Sequence, residues 1–106
     1  MAWLILAIAV FTEICWALSL KWAATLGTWQ ASIIPVSLSF LNMALLAFAM
    51  RGISAGTAYA IWTGLGAVGV IIGGIFWFGE KVNGIQIGFM TLIVIGVVGT
   101  KLFSAN

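Results

Sequence analysis

A chain of 106 residues that is 64% hydrophobic and only 6% charged, with mean hydropathy +1.27, cannot fold as a water-soluble globule. Soluble domains carry about 25% charged residues, and so short a chain has too little interior to hide the apolar excess; its solvent is lipid. The net charge of +2 is too small to argue for nucleic acid, the absence of His speaks against a conventional metal site, and a single Cys15 allows no internal disulfide.

The first apolar stretch runs from about Trp3 to Trp22 and contains Glu13. It lacks the basic start and the small-residue cleavage site of a signal peptide and is expected to be retained. A carboxylate at the centre of a membrane helix costs roughly 2.5–3.5 kcal/mol. Such a residue is expected to face a protein interior or a watery cavity and to have a function there. Trp16 follows three residues later on the same helix face. An acid beside a flat aromatic surface at membrane depth suits an organic cation that exchanges with a proton. The competing reading is a Glu locked to a permanent basic partner, and the chain has few bases to offer one. Cys15 has no nearby Lys or His to activate it and reads as a small buried hydrophobe.

A polar connector, Thr25–Gln30, leads to the second stretch, residues 31–50. Pro35 falls in its first turns, where the missing N–H costs least. Ser37, Ser39 and Asn42 are its polar residues. Asn42 is the most expensive of them to bury, and is expected either to bond another helix or to reach a cavity. The third stretch, 57–78, opens on Thr57 as the expected N-cap and carries Tyr59 and Trp62 three apart on one face. Tyr59 offers a hydroxyl to a carboxylate, and Trp62 a second π surface. Trp3, Trp22, Trp29 and Trp77 fit an interfacial aromatic belt; Trp16 and Trp62 lie too deep for it. Gly64, Gly66, Gly69, Gly73 and Gly74 allow close helix approach, and adjacent glycines suit a hinge. The fourth stretch, 85–103, has no acid or Tyr. Gly88, Gly96 and Gly99 interrupt its aliphatic surface without forming a Gly-x-x-x-Gly spacing, and it reads as an interface that lines no cavity.

Each stretch is long enough to span a hydrocarbon core of about 30 Å, and none alternates as a barrel strand does. The fold class is therefore an all-α membrane protein with four transmembrane helices joined up-and-down by short turns, in one domain spanning 1–106. Lys21 and Lys81 fall on one side, Arg51, Lys101 and the amino terminus on the other. With Lys and Arg divided two against two, the positive-inside rule scarcely chooses an orientation, and a protein inserted both ways can pair with its inverted copy. With no His, no cofactor motif and no nucleophile–base pair, the chain is not expected to be an enzyme or to need a cofactor.

Around Glu13–Trp16, and above all in Gly56-Thr-Ala-Tyr-Ala-Ile-Trp-Thr-Gly64, the chain resembles the small multidrug resistance transporters. Within them it is similar to the guanidinium-exporter branch rather than the quaternary-ammonium branch. Met-Ala-Trp-Leu-Ile-Leu at the start, Lys21, Met43-Ala-Leu-Leu-Ala47 and Gly96-Val-Val-Gly-Thr-Lys101-Leu carry the same likeness over essentially the full length. The resemblance implies an antiparallel, dual-topology dimer in a bacterial inner membrane. One site would lie between subunits, with two copies of Glu13 alternately binding protons and a guanidinium-like cation. It implies that Trp16, Tyr59 and Trp62 line the site, that Gly64 and Gly66 serve helix packing, and that helix four makes the dimer contact. The partner it implies is an identical chain or a paralogous subunit. Four positions depart from the branch: Asn42 stands where a small Ser is common, Val10 replaces a Gly, Thr12 an apolar residue, and Ser54 a Pro. Asn42 and Thr12 are expected to touch the polar network around Glu13 and to bear on the choice of substrate.

The residues themselves point to an organic cation exchanged for a proton, and the resemblance implies that the function is proton-coupled export of guanidinium or a small guanidinyl cation such as guanylurea. The alternatives are a broader quaternary-ammonium exporter, a channel in which Glu13 is a selectivity charge, and a non-transporting assembly subunit.

Overall fold

The computed structural model describes residues 1–104. Four helices are joined by short turns: α1 (Ala2–Leu26), α2 (Ile33–Ala49), α3 (Ala55–Phe78) and α4 (Gly84–Leu102), with a single 3₁₀ turn, Gln30–Ser32, leading into α2. All four are long and apolar enough to cross a membrane when the 3₁₀ turn is counted with α2, and the described residues contain no strand. Lipid offers no partner to an exposed N–H or C=O, so helices that satisfy their own backbones are the natural solution for such a sequence.

The helix ends follow local chemistry. α1 continues through the expected connector to Leu26 and stops at Gly27, in the left-handed region at φ 69°; α3 ends in the same way at Gly79, φ 63°. Thr57 is not the N-cap of α3. The helix starts two residues earlier, the cap position belongs to Ser54, and the Ser54 hydroxyl donates to Thr57 Oγ1 at 2.9 Å. α4 begins with a capping box: Asn83 Oδ1 accepts from the Gln86 N–H, and Gln86 Oε1 accepts from the Asn83 N–H.

α1 packs against both α2 and α3, whereas α4 packs on α3 alone. The result is a slab of 44 × 35 × 16 Å. The tightest packing lies at the end that carries Met1, Arg51 and Lys101, where Leu6, Leu46, Ala49, Ile53, Ala58, Ile61 and Val97 form one cluster. At the other end, Leu18 of α1 lies against Gly73 of α3, and Lys21 meets Glu80 of the α3–α4 turn at 3.7 Å. Both partners of that ion pair are about half exposed, so its contribution is small. Lys21→Gln is expected to lower stability by less than about 1 kcal/mol, read as the thermal midpoint of purified protein; a loss of several kcal/mol would show the pair to be a structural lock.

Trp29 and Trp77 are exposed at helix ends. Cys15 is half-buried beside Leu18, Trp22, Ile34 and Trp77, an apolar setting.

Candidate functional site

Glu13 is the twelfth residue of the 25-residue α1, about 16 Å along it at 1.5 Å per residue, and so at mid-depth. It is half-buried. What lets it face the bundle is Gly66 of α3: a Cβ on Gly66 would stand 2.7 Å from Glu13 Cγ. The missing side chain is the space that the carboxylate stem occupies.

Asn42 comes from the middle of α2 and is buried, 4% exposed. Its Nδ2 donates to Glu13 Oε1 at 2.8 Å. Its Oδ1 accepts from Trp62 Nε1 of α3 at 3.4 Å. A relay thus runs from the Trp62 indole through the Asn42 carboxamide to the Glu13 carboxylate and joins three helices. Of the two fates open to Asn42, the structure takes the bond to another helix. A serine hydroxyl is shorter and has a single oxygen; the forked carboxamide meets a donor and an acceptor at once.

No basic side chain answers Glu13. The chain has four Lys and Arg residues, and Lys21, Arg51, Lys81 and Lys101 all lie toward the helix ends or in turns. Among the described residues the one ion pair is Lys21–Glu80. Within this chain, Glu13 is therefore not half of an interhelical ion pair among the described residues. The carboxylate is held by a neutral amide, which leaves its charge available.

The remaining residues sort around this core. The Tyr59 ring lies 5.5 Å from that of Trp62, at an interplanar angle of 49°, and is 55% exposed. Among the described residues its hydroxyl bonds no carboxylate; the two rings form an aromatic pair on the open side of α3. Trp16 is half-buried one turn beyond Glu13 on α1. Its carbonyl accepts from the Ser19 hydroxyl at 2.6 Å. Gly64 serves a different neighbour from Gly66: its Cβ would meet Val97 and Ile93 of α4. Gly69 and Gly73, which the sequence grouped with them, lie against Ile14 and Leu18 of α1. The α3 glycines are thus seats for named side chains. Thr12 does not join the network around Glu13. Its hydroxyl turns back along α1 and donates to the Ile8 carbonyl at 2.9 Å. Residues 12 and 13 point about 100° apart, so adjacency in sequence does not place the hydroxyl beside the acid.

Four membrane-length helices with a mid-depth carboxylate that has no basic partner among the described residues, joined through Asn42 to the Trp62 indole, make a candidate cation site of a membrane transport protein. Residues 1–93 match the family described as Small Multidrug Resistance protein. The chain is 45% identical over 102 residues to a guanidinium exporter of Escherichia coli (strain K12), a match covering 96% of this chain and 97% of that one. It is 46% identical over 104 residues to a guanidinium exporter of Proteus vulgaris, covering 98% and 100%. It is 41% identical over 102 residues to one of Citrobacter freundii, covering 96% and 97%. The chain belongs to the small multidrug resistance family and is a multi-pass membrane transport protein.

Proposed function

We propose that this protein exports guanidinium, or a small guanidinyl cation such as guanylurea, across the bacterial inner membrane in exchange for protons. The observation that carries the reading is Glu13: a mid-depth carboxylate with no basic partner, positioned by the Asn42 amide. A guanidinium ion is planar and forked, and presents parallel N–H donors to two carboxylate oxygens. The names of the relatives above support that substrate class. Trp16, Trp62 and Tyr59 supply flat faces for the rest of the cation. Proton and cation compete for the same oxygens, so occupancy by one releases the other. With access alternating between the two sides of the membrane, this competition is itself the coupling device, and an inward proton gradient drives export.

The working unit in this reading is an antiparallel dimer. α4 supports it: Ile85, Phe89, Leu92 and Ile95 are exposed, and a Cβ on Gly88, Gly96 or Gly99 would meet nothing within this chain. The even division of Lys and Arg between the two sides is consistent with dual insertion.

The test is proton-coupled current from purified protein in liposomes on a solid-supported membrane, challenged with guanidinium, guanylurea and a tetraalkylammonium. Guanidinium or guanylurea currents without a tetraalkylammonium response are expected. A response to the tetraalkylammonium alone would move the protein to the broader cation exporters, and silence from folded protein would contradict transport by the homodimer.

Asn42 sets the geometry of the acid in this reading. Asn42→Leu leaves Glu13 Oε1 and Trp62 Nε1 without their partner and is expected to weaken guanidinium binding about tenfold, in line with the ~1.5–3 kcal/mol of a hydrogen bond to a charged group. Asn42→Ser, which keeps one hydroxyl donor, is expected to recover most of it. Tryptophan-fluorescence titration with guanidinium checks both; full affinity in Asn42→Leu would deny the amide its positioning role.

A further inference from the structure

A groove between α1 and α4 lies apart from the Glu13–Asn42–Trp62 relay. Its floor is Ile61 and Leu65 of α3, with Leu6 and Val10 on one wall and Val97 and Val98 on the other, and it encloses about 490 Å³. α4 was expected to line no cavity; because it packs on α3 alone, it stands off from α1 and leaves this trough. The lining is apolar except at one end. There Lys101, in the last turn of α4, holds its ammonium 5.0 Å from the centre of the Trp3 ring, in the first turn of α1.

Lys101 has no acidic side chain to answer it. The chain has two acids: Glu13, at mid-depth on Asn42, and Glu80, paired with Lys21 at the opposite end. A cation placed at the membrane boundary by an interfacial Trp, at the head of an apolar trough, is complementary to an amphiphile with an anionic head and a hydrocarbon tail. The scale agrees. From Trp3 to Val10, α1 rises about 10 Å, which is most of the roughly 15 Å of hydrocarbon in one leaflet.

We propose that this groove binds one anionic phospholipid, its phosphate at Lys101 and an acyl chain along the trough between α1 and α4. Free phosphate would find the charge and leave the trough empty; a zwitterionic lipid would fill the trough without gaining at Lys101.

The experiment is native mass spectrometry of the full-length protein released from nanodiscs containing equal phosphatidylglycerol and phosphatidylcholine. Wild type is expected to retain phosphatidylglycerol in preference. Lys101→Gln is expected to reduce that preference about fivefold, the factor corresponding to the ~1 kcal/mol that a membrane-surface cation gains from anionic lipid, while Lys101→Arg keeps it. Val98→Trp, which fills the trough and leaves the charge, is expected to shed the bound lipid with the oligomer unchanged. Equal retention of the two lipids by wild type, or an unaltered preference in Lys101→Gln, would overturn the proposal. So would phosphatidylglycerol retained by Val98→Trp, or displaced from wild type by inorganic phosphate. Loss of lipid in Val98→Trp together with loss of the oligomer would overturn it too, by giving the trough to a second copy of the chain.

Discussion

Glu13→Gln is expected to abolish coupled transport and to weaken guanidinium binding a hundredfold or more while leaving the protein folded. The two halves of this expectation have separate causes. Gln keeps the length and planarity of Glu, its amide oxygen still accepts from Asn42 Nδ2, and the seat at Gly66 is unchanged. Removing a charge from membrane depth is, if anything, favourable to the fold. The cation loses two charge-assisted bonds of about 1.5–3 kcal/mol each. In the proposed function proton and cation share this carboxylate, so wild-type binding is also expected to weaken as the pH is lowered, and the variant should lose that dependence. Isothermal titration with guanidinium at several pH values, beside a thermal unfolding curve, reads both. A variant that unfolds would revive the structural-lock reading, and one that binds normally would take Glu13 out of the site.

Gly66→Ala is expected to weaken guanidinium binding at least tenfold, although alanine is the better helix former by about 1 kcal/mol. The added methyl would stand 2.7 Å from Glu13 Cγ, too close for two carbons. Either α1 and α3 move apart or the carboxylate turns away from Asn42. Both outcomes break the relay, and overpacking of this kind costs about 1–3 kcal/mol. Because helix propensity and local crowding oppose each other, binding should fall by more than stability does. Fluorescence titration against a denaturation midpoint separates them; full affinity in Gly66→Ala would show that the carboxylate does its work elsewhere than in its seat on α3.

What the sequence made legible and what it hid follow from the range of the interactions. The four spans and the cost of placing Glu13 within one are local: each rests on a run of apolar residues, or on one charge within such a run. Turn chemistry is also local: Asn83 and Gln86 carry a capping-box signal in the sequence itself, and the α3 cap falls to Ser54 rather than Thr57. The partners of Asn42 were not legible. Glu13 is 29 residues away in the chain, and α2 is apolar nearly all round, so periodicity does not say which neighbour the amide meets. The glycines show the same limit. Gly64 and Gly66 read alike in sequence, yet two positions on a helix are about 200° apart, and they seat α4 and α1 respectively. Thr12 failed for the converse reason, since neighbours in sequence diverge on a helix. The stand-off of α4 from α1, which opens the trough, is set by contacts between helices, and no pattern within α4 encodes it.

The most direct test of the central claim, that Glu13 couples guanidinium to protons, is uptake of labelled guanidinium into proteoliposomes with an imposed pH gradient. With an acidic lumen and no guanidinium gradient, wild-type protein is expected to accumulate the cation above its external concentration. Collapsing the pH gradient should release it, and Glu13→Gln should show no accumulation. Guanidinium that merely equilibrates, at a rate indifferent to the pH gradient and to the mutation, would contradict the account and describe a passive pore.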